Sequence, residues 1–128
     1  MAIQVVRLGT HRAIEEGLRI GTVRRPPRGV PKSEYASQNW YDVWLPNVAP
    51  TAELMKFGQA AESEKDWAVF VKKYRKELAE PEKSRTLDLL AALSRDANFS
   101  VGCYCENEAR CHRSVLREQL VERGAKIK

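Results

Sequence analysis

The chain reads as a single α/β domain spanning residues 1–128, with a small, mostly parallel sheet of about four strands flanked by helices. Short apolar and β-branched runs alternate along it with segments of helical periodicity. A hydrophobic fraction of 43% and a charged fraction of 30% belong to a chain that buries a core without staples. No internal repeat, low-complexity tract or long linker divides it.

Ile3-Gln4-Val5-Val6-Arg7-Leu8 forms the first strand, and Gly9-Thr10 break it. His11 to Glu16 is a short turn or helix. Leu18 to Val23 sets Leu18, Ile20 and Thr22 against Arg19, Gly21 and Val23, the alternation of a second strand. The connection between these two strands is too short for a crossover helix, which allows them to pair antiparallel. Arg25-Pro26-Pro27-Arg28-Gly29-Val30-Pro31 is a loop, because proline removes amide donors and fixes φ. Tyr41 to Leu45 is the third strand, closed by Pro46.

Thr51 caps a helix from Ala52 to about Gln59. Ser63 and Asp66 resemble a capping box ahead of the clearest amphipathic helix, with Trp67, Phe70, Val71, Tyr74 and Leu78 on one face. Its other face carries Lys65, Lys72, Lys73, Arg75 and Lys76. A helix from about Lys83 to Ser94 uses Leu87, Leu90 and Leu93 as its stripe, with Leu89 beside it. Phe99 to Cys105 is the fourth strand, and Ser114 to Arg123 the last helix, ended by Gly124. Ala125 to Lys128 is a ragged tail or a short edge strand.

No apolar stretch approaches the roughly 18 residues of a membrane span, and the first residues lack the apolar segment of a secretion signal. The cysteine count of three is odd, so reduced thiols in a cytoplasmic setting are expected. Pairing of Cys103 or Cys105 with Cys111 remains open as a redox event. The net charge of +5 is concentrated: Arg19, Arg24, Arg25, Arg28 and Lys32 lie between Gly17 and Ser33 with no acidic residue among them. Such a patch suits an anionic partner, or is a solvated basic loop.

All three cysteines fall in the stretch from Cys103 to Arg113, between a strand and a helix, where α/β proteins place their chemistry. Three readings compete. As a metal site, Cys103, Cys105, Cys111 and His112 offer four soft or borderline ligands; but adjacent Cys111 and His112 can rarely both reach one ion, so a bound metal is disfavoured. As a thiolate enzyme, Cys105 is the nucleophile and Cys111 a resolving thiol, with Arg110, Arg113 and helix amides stabilising an anion. The tyrosine-phosphatase spacing of cysteine, five residues and arginine is missed, since four residues separate Cys105 from Arg110 and six separate Cys103 from it. In the bland reading Cys103 and Cys105 are small buried apolar groups and His112 a helix-terminal hydrogen bonder. His11 is expected at the surface.

Arg24, Arg25 and Arg28 around two prolines make a stiff cationic loop. If its strand runs parallel to the cysteine strand, arginines and thiols line one pocket. Trp40, Tyr41 and Trp44 invite a base-stacking reading, against a plainer one with Trp44 and Trp67 in the core and Trp40 half-buried.

Arg24-Arg25-Pro26-Pro27-Arg28-Gly29 resembles the "DRLWPRG" loop of the YeaO-like proteins, domain of unknown function 488. Arg24, Pro27, Arg28 and Gly29 fit it; Val23, Arg25 and Pro26 stand where Asp, Leu and Trp are usual. Trp40 with Val48 to Leu54 resembles that family's "W…lAPS.eL" segment, and Trp67, Phe70 and Tyr74 to Leu78 its "F…Y..EL" helix. Cys103-Tyr104-Cys105 with Cys111-His112-Arg113-Ser114 resembles the "CyC…CHR" ending of one branch. The resemblance spans nearly the whole chain and implies a single α/β domain without an established activity. If the Asp replaced by Val23 is an acid or base in relatives, this chain has lost it.

The expected protein is therefore an enzyme, or enzyme-like, acting on a phosphorylated or carboxylated small molecule. Its cleft lies between the Arg24–Gly29 loop and the Cys105–Ser114 turn. Arg24, Arg28, Gly29, Arg110, Arg113 and Ser114 bind the anion, Cys105 or Cys111 reacts, and His112 orients or transfers a proton. No cofactor and no membrane contact are expected. A non-catalytic nucleic-acid-binding module and a thiol-based redox or metal-responsive regulator are the alternatives.

Overall fold

Strands Ile3–Arg7 (β1), Leu18–Gly21 (β2), Val43–Trp44 (β3) and Phe99–Cys103 (β4) form one sheet in the order β1-β4-β2-β3, in a computed structural model describing residues 1–128. Every pairing is parallel. β4 is buried at all five of its positions, as a central parallel strand covered on both faces should be. Its burial decides the topology. The first two strands do not pair with each other, antiparallel or otherwise; they flank β4, with Ile3 and Leu18 both opposite Phe99. The short connection from Leu8 to Gly17 recrosses the sheet without a helix, turning at Gly9 and Gly17, whose φ values of 89° and 75° lie in the left-handed region.

Side chains alternate across the sheet. Ile3, Ile20, Phe99 and Val101 share one core with residues from all four helices, Ala52–Ala60 (α1), Glu64–Leu78 (α2), Pro81–Leu93 (α3) and His112–Glu122 (α4). On the opposite face the Tyr41 ring occupies the space a Gly21 side chain would need. Leu8, Val23 and Tyr41 form a second cluster there that reaches Cys103 and Cys111 at the sheet's end.

The helices follow their signals, with adjusted ends. The Thr51 hydroxyl accepts from Leu54 N–H at the start of α1, and the Ser63 hydroxyl from Asp66 N–H at the start of α2. α2 buries Phe70, Tyr74 and Leu78, and the Tyr74 hydroxyl donates to the Val48 carbonyl. α3 begins two residues earlier than expected because Pro81 suits a first helical position. Its buried face is Leu87, Leu90, Ala91 and the neighbouring Ser94, so Leu93 is 42% exposed rather than part of the stripe. α4 starts at His112, two residues before the expected Ser114.

The third strand shrinks to two residues at the sheet edge, which leaves Trp44 43% exposed instead of in the core; its indole N–H donates to the Val23 carbonyl at 2.8 Å. Trp67 and Trp40 are half-buried. Of the two readings of the tail, the edge strand holds: Ile127 bridges Ile3 in parallel. No helix is long and apolar enough to cross a membrane.

Candidate functional site

Because β2 and β4 run parallel, the chain leaves both at the same sheet edge, carrying Thr22 to Gly29 from one and Tyr104 to Cys111 from the other. The Tyr104 hydroxyl donates to the Arg25 carbonyl at 2.8 Å, tying the arginine loop to the cysteine turn. The pairing that the sequence left conditional is met.

β4 ends at Cys103, so Cys105 lies beyond the strand in the turn, half-buried. Cys103 and Cys111 are 2% and 1% exposed, and all three thiols are free. The Cys111 sulfur lies 3.1 Å from that of Cys103, which is 3.6 Å from the Cys105 sulfur and 3.7 Å from His112 Nδ1. One donor atom from each of Cys103, Cys111 and His112 lies within 4.8 Å of the others. Adjacent Cys111 and His112, expected only rarely to reach one point together, thus bring their donor atoms close to each other. Cys111 is the extended residue that caps α4 (φ −124°, ψ 149°), whereas His112 is already helical, and the change of backbone swings both side chains inward.

His112 is 2% exposed, with Nε2 2.7 Å from the Thr22 carbonyl. A carbonyl only accepts, so Nε2 carries the proton and Nδ1 presents its lone pair to the sulfurs. Burial holds the imidazole neutral by lowering its pKa, against the opposing pull of the Thr22 carbonyl. Among the thiols, Cys105 is pushed well below the ordinary value, first by the hydrogen bonds of Cys103 and Cys111 and then, against the effect of burial, by the charge of Arg113. Cys103 moves far the other way, first because it donates to Cys105, with the Cys111 contact and burial adding to the rise. Cys111 is drawn down by Cys103 but pushed up by Cys105 and by burial, and ends at about 11.

The arginines divide by task. Arg24 donates to the Pro50 and Ala49 carbonyls, both at 2.9 Å, and so holds the loop before α1. Arg113, 4% exposed, donates to the Cys105 carbonyl at 2.6 Å and shapes the turn, while its buried Nε finds no partner. Arg110 pairs with Glu64 at 3.0 Å and lies over the Trp67 ring at 5.7 Å. The Ser114 hydroxyl donates to the Cys111 carbonyl at 2.8 Å. Arg28 and Gly29 are exposed, Gly29 with φ 71°. His11 is also exposed.

A cleft of about 40 Å³ opens against the turn, between Cys105, Arg110, Cys111 and His112 on one side and residues of α1 and α2 on the other. No residue of the Arg24–Gly29 loop lines it. Met55, Gly58 and Trp67 do, and sequence reasoning did not single them out for the site. Gly58 carried the available signal: a β-carbon there would sit 2.7 Å from the Phe70 ring, so a residue without one is needed where α1 crosses α2. Two aromatics named above are engaged internally: Trp40 packs edge-on against Tyr104, and Tyr41 against Tyr35. Trp67 stacks on Phe70.

The description of the active DUF488-N3 subclade, DUF488-N3a, matches residues 3–124. No curated protein and no solved structure matches the chain.

Proposed function

The chain belongs to the DUF488 family, within the subclade described as active, and from that premise we propose that it is an enzyme in which Cys105 reacts with a small phosphorylated or carboxylated molecule. The observation that supports this reading is the placement of Cys105: half-buried at the end of a central parallel strand, it borders a cleft beside Arg110 and the first turn of α4. Cys103 does not line the cleft, and Cys111, which does, is only 1% exposed, so the half-buried Cys105 is the most accessible of the three. The sulfur of Cys105 supplies the electron pair for a bond to the substrate's electrophilic atom, and the leaving group departs with the pair of the bond that breaks.

Both ring nitrogens of His112 face protein atoms, which assigns it to positioning rather than to proton exchange with substrate. Arg113 positions the turn through the Cys105 carbonyl, while Arg110, which lines the cleft, is the cation placed to meet an arriving anion; Arg28 is exposed on a loop outside it. A cleft this small encloses a headgroup, not a whole ligand of the size that fills about 300 Å³.

Reduced protein treated with limiting iodoacetamide or iodoacetate tests this. Cys105 is labelled ahead of Cys103 and Cys111, and the anionic reagent gains on the neutral one relative to their ratio on free cysteine. Equal labelling of the three thiols, or no gain for the anion, overturns the reading.

A further inference from the structure

We infer that Cys103, Cys111 and His112, with Cys105 completing the set, form a binding site for one zinc ion. With zinc–sulfur bonds of about 2.3 Å and zinc–nitrogen bonds of about 2.0–2.1 Å, the edges of a tetrahedral site are about 3.8 Å between sulfurs and about 3.6 Å between sulfur and nitrogen. The sulfur of Cys103 lies 3.6 Å from that of Cys105 and 3.7 Å from His112 Nδ1, and 3.1 Å from that of Cys111. All three separations start from Cys103: two match a tetrahedron's edges, the third needs a relaxation of about 0.7 Å, and the donors of Cys103, Cys111 and His112 lie within 4.8 Å of one another.

The surroundings agree with the geometry. A ligating histidine commonly donates its other ring N–H to a carboxylate or backbone carbonyl, which fixes the tautomer and aims the free nitrogen at the metal. His112 does this through the Thr22 carbonyl at 2.7 Å. Cys103 stands at the end of the central strand and Cys111 and His112 at the start of a helix, so two rigid elements hold three of the donors. These three are nearly inaccessible, whereas Cys105 opens to the cleft. Three sulfurs brought to one place are, as thiolates, strong ligands for a borderline-soft cation.

The inference rests on the proposed reaction only in making Cys105 the ligand nearest the substrate; binding itself needs no turnover. Full-length, reduced, chelator-stripped protein is titrated with Zn²⁺ alone against a chromophoric chelator, and separately with Co²⁺ as a spectroscopic probe. One ion binds per chain, the cobalt form shows thiolate charge-transfer and four-coordinate visible bands, and Zn²⁺ shields all three thiols from alkylation. Cys111→Ser and Cys103→Ser weaken binding by more than the roughly 10–100-fold lost with an outer-shell partner. Cys105→Ser still binds one ion, with a weaker charge-transfer band. If a variant does not fold, the alkylation shield on the unaltered protein decides. Folded, reduced protein that takes up less than one equivalent, or binds equally well without Cys103 and Cys111, overturns the site. In that event selective labelling of Cys105 by iodoacetate would leave the proposed reaction standing; a bound ion with no selectivity for Cys105 defeats the reaction and keeps the site.

Discussion

Replacing Arg19 with methionine removes a cation from a place water does not reach. Arg19 and Glu16 are 0% and 2% exposed. The guanidinium donates to both Glu16 oxygens, at 2.7 and 3.0 Å, and to the Thr10 and Asn39 carbonyls at 2.9 and 2.8 Å. Ser100 adds a third donor to the carboxylate at 2.6 Å. Breaking such a pair from one side costs about 3–5 kcal/mol, because the remaining charge is stranded. Glu16 has one escape, which is to take up a proton. From its ordinary value of 4.5, that costs about 3.4 kcal/mol at pH 7 and about 0.7 at pH 5. The two orphaned carbonyls add about 0.5–1.5 kcal/mol each at either pH. Urea unfolding should therefore show the Arg19→Met deficit shrinking by up to about 2.7 kcal/mol from pH 7 to pH 5. The unaltered protein behaves oppositely. Burial alone would raise the Glu16 pKa, but the hydrogen bonds of Arg19 and Ser100 and the Arg19 charge outweigh it, so the folded value lies below the ordinary one. That stability is complete above the unfolded value and is lost as pH falls through the folded one. A deficit that does not change between pH 7 and pH 5 refutes the reasoning.

Two further substitutions probe the cleft and the helix that walls it. Gly58→Leu places its β-carbon 2.7 Å from the Phe70 ring, so overpacking of about 1–3 kcal/mol outweighs a helix-propensity gain of about 0.5–1. The same side chain fills the approach to Cys105, and iodoacetamide labelling followed by mass spectrometry should slow; an unchanged rate means the reagent arrives by another route. Thr51→Ala loses the cap bond to Leu54 N–H and the bond from its hydroxyl to Glu77 at 2.8 Å, for about 1 kcal/mol in urea unfolding. A loss of only a few tenths would show that Glu77, which also accepts from the Thr51 N–H at 3.1 Å, holds that turn alone.

Much of the fold is written locally. Ile3–Arg7, Leu18–Gly21 and Phe99–Cys103 lie inside the segments read as strands from the sequence, and Thr51 and Ser63 cap the helices their side chains can cap. These features depend on neighbours a few residues away, which is the range over which period and capping chemistry act. The site was legible as a place for the same reason: three thiols, an imidazole and arginines fall in one short turn. Trp44 was misjudged because a large apolar side chain marks a strand but not whether that strand is central or an edge.

By itself the sequence determined which segments become strands and helices, that they make one α/β domain, and which turn gathers the reactive side chains. Only the tertiary structure decided that β4 enters between β1 and β2 and brings the arginine loop and the cysteine turn to one edge. It likewise decided that the Thr22 carbonyl, 90 positions from His112, sets the imidazole's tautomer, and that Cys111 and His112 converge. The physical reason is separation along the chain: these arrangements come from strand pairing and burial between distant segments, and no local pattern of period or charge encodes which distant segment a strand will meet.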